Sequence, residues 1–189
     1  MSGATKILMG SGGVDLPSDD EFDNVSFLSH FDGSNNGTNI VYDDGSDSNH
    51  TITVGGTPSQ GSFGPFARVD GEWSNHFSGN SDYFDVAASS DFAFGTGDFT
   101  VELFIKTSDP SADSYDRRMY LNDGPDGNAI GNIMLLLVAA SPNSGKVGVQ
   151  TNGLLITSST VVTDGAWHHV AMVRSSGTLS LYIDGTSEG

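Results

Sequence analysis

The chain contains no cysteine. No disulfide can staple the fold and no thiolate can hold a metal, so its stability rests on packing and hydrogen bonding. Basic residues are scarce: seven Lys and Arg stand against 24 Asp and Glu, for a formal net charge of −17. Such a surface repels phosphate backbones and anionic lipid, which excludes nucleic acid as an expected partner. Cations, neutral sugars and basic protein surfaces remain. Long apolar runs are missing as well. The longest, "IMLLLVAA" at 133–140, is strand-sized and far short of the roughly 20 residues of a membrane helix, so no membrane insertion is expected. The opening "MSGATKILMGSGG" has one Lys and no apolar core of secretory length, and no signal peptide is expected from it. Glutamate is rare too, confined to Glu21, Glu72, Glu102 and Glu188. Aspartate favours turns and caps where glutamate favours helices, so the bias points to strands and loops.

What is abundant agrees with this. There are 25 glycines and only 16% charged residues, a mix that suits many short strands joined by tight turns. At 189 residues the chain is long enough for one domain with a real core. Residues 1–23 show no period and are rich in Gly, Ser and Asp. They read as an extended arm, with Ile7, Leu8, Met9, Val14 and Leu16 as anchors that could dock on a partner.

From residue 24 onwards strand patterns dominate. "VSFLSHF" alternates apolar and polar positions, and "HTITV" follows after an Asp-rich loop. "GGTPSQGSFGPF" reads as irregular because Pro58 and Pro65 interrupt it. "EWSNHFSG" and "DYFDVA" read as a strand pair split by a turn at Gly79 and Asn80. "FTVELFIKT" has the cleanest alternation: Phe99, Val101, Leu103 and Ile105 share one face, while Thr100, Glu102, Phe104 and Lys106 share the other. "SDPSADSYDRR" reads as a loop before the short strand "MYLND". "IGNIMLLLVAA" is apolar on both faces, the pattern of a central strand covered on both sides. "KVGVQT", "GLLITSSTVVT", "DGAWHHVAMVR" and "TLSLYIDG" complete the series. With turn signals about every ten residues and no amphipathic helix, the expected fold is an all-β, two-sheet antiparallel jelly-roll sandwich.

In order along the chain, "FSGNSDYFDVAASSDFAFGTG", "GDFTVELFIKT" and "DGAWHHVAMVRSSGTLSLYIDG" resemble laminin G-like domains of the concanavalin A-like lectin and glucanase superfamily. The resemblance spans residues 25–185, within a domain drawn at 24–189. It implies two curved antiparallel sheets, with ligands bound at rim loops and mostly without catalysis. The family pattern carries further strands after "YIDG", whereas only "TSEG" follows here. The sandwich is therefore expected to lack its last strand or strands, leaving an edge for a partner. The opening residues and "GSFGPFARVDGEWSNHFSG" resemble virion proteins of tailed phages, particularly marine ones. That implies a tail fibre or head- or tail-associated protein assembled in the host cytoplasm. Its partners would be other virion subunits, further copies of itself and host surface glycans.

The candidate site residues follow from chemistry. His168 and His169 are neighbours on a strand and point to opposite faces, so they cannot together ligate one metal. His168, in step with Val170 and Met172, reads as an interior histidine with a hydrogen bond. Glycoside hydrolysis needs two carboxylic acids about 5–10 Å apart. Glucanases of the superfamily place them on one strand as Glu-x-Asp-x-Glu, but Glu102 has only Thr100 and Phe104 beside it on its face. No nucleophile elbow or phosphate loop is present, and no enzyme is expected. Calcium is the one cofactor the loops suggest, since hard cations take carboxylate and carbonyl oxygens. Asp32 and Asp43, in "FDGSNNG" and "YDDGSDSN", are its first-choice ligands. For sugar or partner contact the candidates are Tyr115, Arg117, Arg118 and Tyr120. The leading reading is a non-enzymatic virion protein that docks by its arm and displays a lectin-like sandwich. The alternative is a free-standing calcium-dependent lectin.

Overall fold

Alternation along 99–106 becomes β5 (Phe99–Lys106), whose residues are in turn half-buried and exposed over its whole length. The structure is a computed structural model. It describes residues 22–29, 46, 48–61, 63–65, 74–79, 81–109, 117–122, 133–139, 141–151 and 154–189. They form two compact units, 1–64 with 68–87, and 65–67 with 88–189. Among the described residues there is no α-helix; the ordered elements are twelve strands and two 3₁₀ turns.

The larger unit is a sandwich of two four-stranded antiparallel sheets. One has the order β12–β11–β10–β5 and the other β6–β7–β8–β9. Here β6 is Arg117–Asn122, β7 Ile133–Leu137, β8 Lys146–Thr151 and β9 Leu154–Val161. The other sheet adds β10 (Trp167–Ser175), β11 (Thr178–Ile183) and β12 (Thr186–Ser187) to β5. The core lies between the sheets. Ile133, Leu135, Leu137, Val147 and Val149 come from one, Val170, Met172, Leu181 and Ile183 from the other, with Val162 between them. The inward face expected for β5 is confirmed, for Phe99, Val101, Leu103 and Ile105 pack on this cluster. Strand β7 is buried at all five positions. Its other face contributes Met134 and Leu136, which with Val138 form a second apolar cluster. The central strand covered on both sides is as the sequence implies.

Two tight hairpins set the register of the first sheet. Ser175 pairs with Thr178 and Ile183 with Thr186. Each loop is therefore two residues long, and both residues take positive φ: Ser176 at 50° with Gly177 at 80°, then Asp184 at 51° with Gly185 at 77°. That is the turn whose twist matches the strands it joins, and its second position suits glycine. After the second turn the chain runs back along β11. Glu188 N–H donates to the Leu181 carbonyl at 2.8 Å, and Leu181 N–H donates to the Gly189 carbonyl at 2.9 Å.

The β8–β9 pair contains a register shift between Lys146 and Gly148. Ser158 fills it. Its buried hydroxyl accepts the Val147 N–H at 3.0 Å and donates to the Thr160 carbonyl at 2.6 Å. An orphaned polar group there would cost more than the bond contributes, so the serine is part of the bulge.

The smaller unit holds two two-stranded sheets, β1 (Ile52–Gly55) with β4 (Tyr83–Val86) and β2 (Ser59–Gly61) with β3 (Ser74–His76). Gly55 lies opposite Tyr83, and a Cβ there would sit 2.1 Å from a Tyr83 ring atom. The ring covers the space a side chain would take.

Four expectations are corrected. Residues 25–29 are not a strand; they follow a 3₁₀ turn at Phe22–Asn24, where Asp23 and Asn24 favour a turn over extension. Strands β3 and β4 exist but do not pair with each other. The Asp82 carboxylate accepts the Ser78 N–H at 2.7 Å and the Thr57 N–H at 2.8 Å. It thereby ties the turn before β4 to the loop after β1. Residues 59–61, read as irregular, form β2, because Pro58 precedes the strand rather than interrupting its ladder. Arg117 and Arg118, read as loop, begin β6 and pair with Leu137 and Leu136.

Candidate functional site

The two histidines stand on β10, a strand flanked by β5 and β11. Alternation turns His168 inward with Val170 and Met172, and it is 8% exposed. Its ring lies between two carboxylates. Nδ1 is 2.8 Å from Asp184 Oδ2, and Nε2 is 3.1 Å from Asp164 Oδ1. The other Asp184 oxygen accepts the His169 N–H at 2.9 Å, and Asp164 also accepts the Ala166 N–H at 2.8 Å. The expected interior histidine with a hydrogen bond is present, with two partners.

Burial disfavours the charged form of His168, but the hydrogen bonds to Asp184 and Asp164 outweigh it and raise its pKa above the ordinary 6.5. The carboxylates move the other way. The His168 ring holds Asp184 below its ordinary value, and the Ala166 N–H, then His168, do the same for Asp164. Proton linkage gives the signs. The His168 contribution is complete below 6.5 and is lost as pH rises through its folded value. The aspartate contributions are complete above 3.8 and are lost as pH falls. The cluster is therefore most stabilising between those limits. In a carbon-detected NMR titration the His168 ring is expected to change protonation above 6.5, and Asp184→Asn is expected to lower that midpoint. An unmoved midpoint would contradict the cluster.

His169 faces outward. Its Nε2 is 3.2 Å from Glu102 Oε2, and its ring centroid is 4.9 Å from that of Phe104, its cross-strand partner on β5. Arg174, further along β10, is held by structure. Its Nε donates to the Gly97 carbonyl at 2.6 Å, its terminal nitrogen donates to the Phe94 carbonyl at 3.0 Å, and its guanidinium lies 4.7 Å from the Phe99 ring centroid.

The sequence candidates fall mostly elsewhere. Asp32, Asp43, Tyr115 and the arm residues Ile7, Leu8, Met9, Val14 and Leu16 lie outside the described residues. Arg117, Arg118 and Tyr120 are placed on β6 by backbone pairing; their side chains lie outside the description. Among the described residues, no group of three or more His, Cys, Asp or Glu side chains is placed to hold a metal ion. Among them, too, no helix is long and apolar enough to cross a membrane.

The profile of the concanavalin A-like lectin/glucanase superfamily, in its laminin G form, matches residues 78–189, more than half of the chain. The chain belongs to this superfamily. The match takes in both histidines, both aspartates of the clamp, Glu102 and Glu188. Among solved structures, the binding domain of Paraclostridial Mosquitocidal Protein 1 is similar, with a TM-score of 0.61 and 14% identity over 89% of this chain. The chain spans 40% of that structure's length, and the likeness is one of fold. No curated protein matches the chain. The fold is thus a lectin-like, all-β sandwich of the concanavalin A type.

Sequence reasoning did not assign partners to His168. A signal was available. Once the two-residue turn at Ser176 and Gly177 is placed, the register that pairs Val170 with Ile183 brings Asp184 opposite His169 and next to His168.

Proposed function

We propose that this domain is a non-catalytic binding module of a phage virion, docked by the arm at 1–23 and displaying its sandwich for glycan or protein contact. One observation carries the non-catalytic part. The carboxylates around the histidines are hydrogen-bonded and held as anions: His168 engages Asp184 and Asp164, and both have lowered pKa values. A glycosidase needs a carboxylic acid pushed the opposite way, so that it keeps a proton to give. Glu102, the one glutamate on β5, faces outward and pairs with His169. The superfamily match supports a lectin-like display surface. The similar mosquitocidal structure is itself described as a binding domain, which supports the same reading. The virion assignment is supported by the arm-plus-sandwich layout and by the resemblance of the opening residues to tailed-phage proteins.

The test is sedimentation of particles from the producing host, with quantitative mass spectrometry of the pellet. The protein is expected to travel with particles at a fixed ratio, and to release no reducing sugar from a polysaccharide panel. Recovery only in the supernatant would sink the virion assignment. Sugar release lost in Glu102→Gln would sink the non-catalytic one.

A further inference from the structure

His168 is the one buried titratable side chain among the described residues, and both of its ring nitrogens are engaged. Nδ1 lies 2.8 Å from Asp184 Oδ2 and Nε2 lies 3.1 Å from Asp164 Oδ1. Both distances are those of hydrogen bonds. An ionised carboxylate only accepts, so each contact needs an N–H from the ring. An imidazolium has two. A neutral imidazole has one, and it turns a lone pair to the other carboxylate. The arrangement therefore belongs to the charged ring, and loss of its proton must break one of the two contacts. Neither aspartate supplies a replacement proton, because both are held below their ordinary 3.8.

The two contacts are not equal. Asp184 is the closer partner, and its second oxygen is fixed by the His169 N–H at 2.9 Å. Asp164 is the longer contact, its side chain is 56% exposed, and it keeps the Ala166 N–H at 2.8 Å whether or not the ring donates. Water can take the place of Nε2 there. No other described charge faces the ring. From β5 its cross-strand neighbour is Ile105, while Glu102 and Lys106 stand on the outward face. From β11 the inward side chain is Ile183, paired with Val170. The facing sheet brings apolar side chains and the Ser158 hydroxyl, which does not titrate. Glu188 is taken up by Ser159 and Thr160 on β9.

We infer that His168 is a proton-operated latch on the turn at 163–166: the imidazolium ties that turn to the β11–β12 turn, and the neutral ring keeps Asp184 and lets Asp164 go. The freed piece is short, because its ends are fixed. Val162 before it is fully buried in the core, and Trp167 after it is paired with Lys106 on β5. Within it Gly165, at a φ of 81°, donates its N–H to the Thr107 carbonyl at 3.0 Å. Once Asp164 lets go, that one bond is left to hold the turn to the end of β5. The latch is thus a local opening at the rim of the sandwich, a low-cost motion beside a core that stays closed. It does not depend on what the sandwich binds, so particle sedimentation and the latch stand or fall separately.

The experiment is nitrogen-15 NMR of the full chain, reading both the imidazole nitrogens and the backbone amides across the His168 titration. Below the midpoint both ring nitrogens are expected to be protonated. Above it Nδ1 is expected to keep its proton and Nε2 to show the shift of a bare nitrogen. The amides of Gly165 and Ala166 are expected to move with the same midpoint, while that of His169, held by Asp184, stays in place. Asp184→Asn is expected to reverse the outcome: the proton stays on Nε2, and the 163–166 amides no longer follow the titration. Asp164→Asn, at an exposed side chain, keeps the Nδ1 proton and uncouples Gly165 and Ala166 from the ring. It serves as the test should Asp184→Asn lose its native spectrum. Three results would overturn the latch. The parent could carry its proton on Nε2 above the midpoint. The amides of Asp184 and Gly185 could move in place of those at 165–166. The whole larger unit could change together, which would mean global unfolding and no local release.

Discussion

Leu135→Ala is expected to lower the unfolding free energy by about 2–5 kcal/mol, the usual cost of a cavity in a close-packed core. Leu135 is the middle residue of β7 and fully buried. It belongs to the cluster that both sheets of the larger unit share, so the cavity would open at their contact and could not be filled from solvent. A small domain has a net stability of only about 5–15 kcal/mol, and this one change consumes a large part of it. Phe104→Ala, at a site 42% exposed, is expected to cost about 1 kcal/mol or less. Urea unfolding followed by circular dichroism measures both. A smaller loss at Leu135 than at Phe104 would contradict the sandwich.

That contrast was legible in the sequence, and β5 and β7 show why. A strand with one wet face must alternate, and a strand with two dry faces cannot, so "FTVELFIK" and "IMLLL" declare their surroundings directly. The β10–β11 hairpin was legible for a different reason: its turn type fixes both length and register. Pairing beyond a hairpin was not legible. Strands β3 and β4 look like a hairpin because only a few residues separate them, yet each pairs with a more distant strand. The Asp82 carboxylate settles the matter by reaching Thr57, 25 residues away, and no local pattern encodes such a reach. The false strand at 25–29 is the converse case, where alternation over a few residues was outvoted by turn formers beside it.

The candidate site divides in the same way. The inward direction of His168 followed from strand period alone. Its clamp was one inference further on, through the hairpin register. The outward cluster was half visible: Glu102 and Phe104 were placed on one face of β5, but their neighbour His169 is 67 residues from Glu102 and arrives only when β5 meets β10. A glutamate in a four-residue tail, Glu188, carried no sequence signal at all, because its partners lie 28 and 29 residues back on β9.

Acid is expected to weaken the domain through that glutamate, and Glu188→Gln is expected to remove much of the effect. Glu188 Oε2 accepts the Ser159 N–H at 2.6 Å, the Ser159 hydroxyl at 2.5 Å and the Thr160 N–H at 3.1 Å, while Oε1 accepts the Thr160 hydroxyl at 2.6 Å. The carboxylate thus ties the end of one sheet to an edge strand of the other. Hydrogen bonds from the Ser159 and Thr160 hydroxyls, followed by their backbone N–H groups, lower its pKa from 4.5 to about 2. A depressed carboxylate contributes its full stability above the unfolded value and loses it as pH falls through the folded one. The window is therefore between 4.5 and about 2. Converted at face value the shift would be worth several kcal/mol. Solvent screening at the rim reduces this to about 1–2 kcal/mol. The amide of Glu188→Gln keeps one acceptor but presents an N–H₂ either to the three donors that converge on Oε2 or to the Thr160 hydroxyl that donates to Oε1, so the variant should be weaker by about that amount at neutral pH. The sign of the pH dependence is the decisive part. Asp164 and Asp184 also lose stability in acid, so the parent and the variant both unfold more readily there. Only the difference between them isolates Glu188. Urea unfolding of both proteins at neutral pH and near pH 2 should show that difference shrinking towards zero as the parent carboxylate takes up its proton. A difference that stays constant would mean that the side chain acts by its shape and not by its charge.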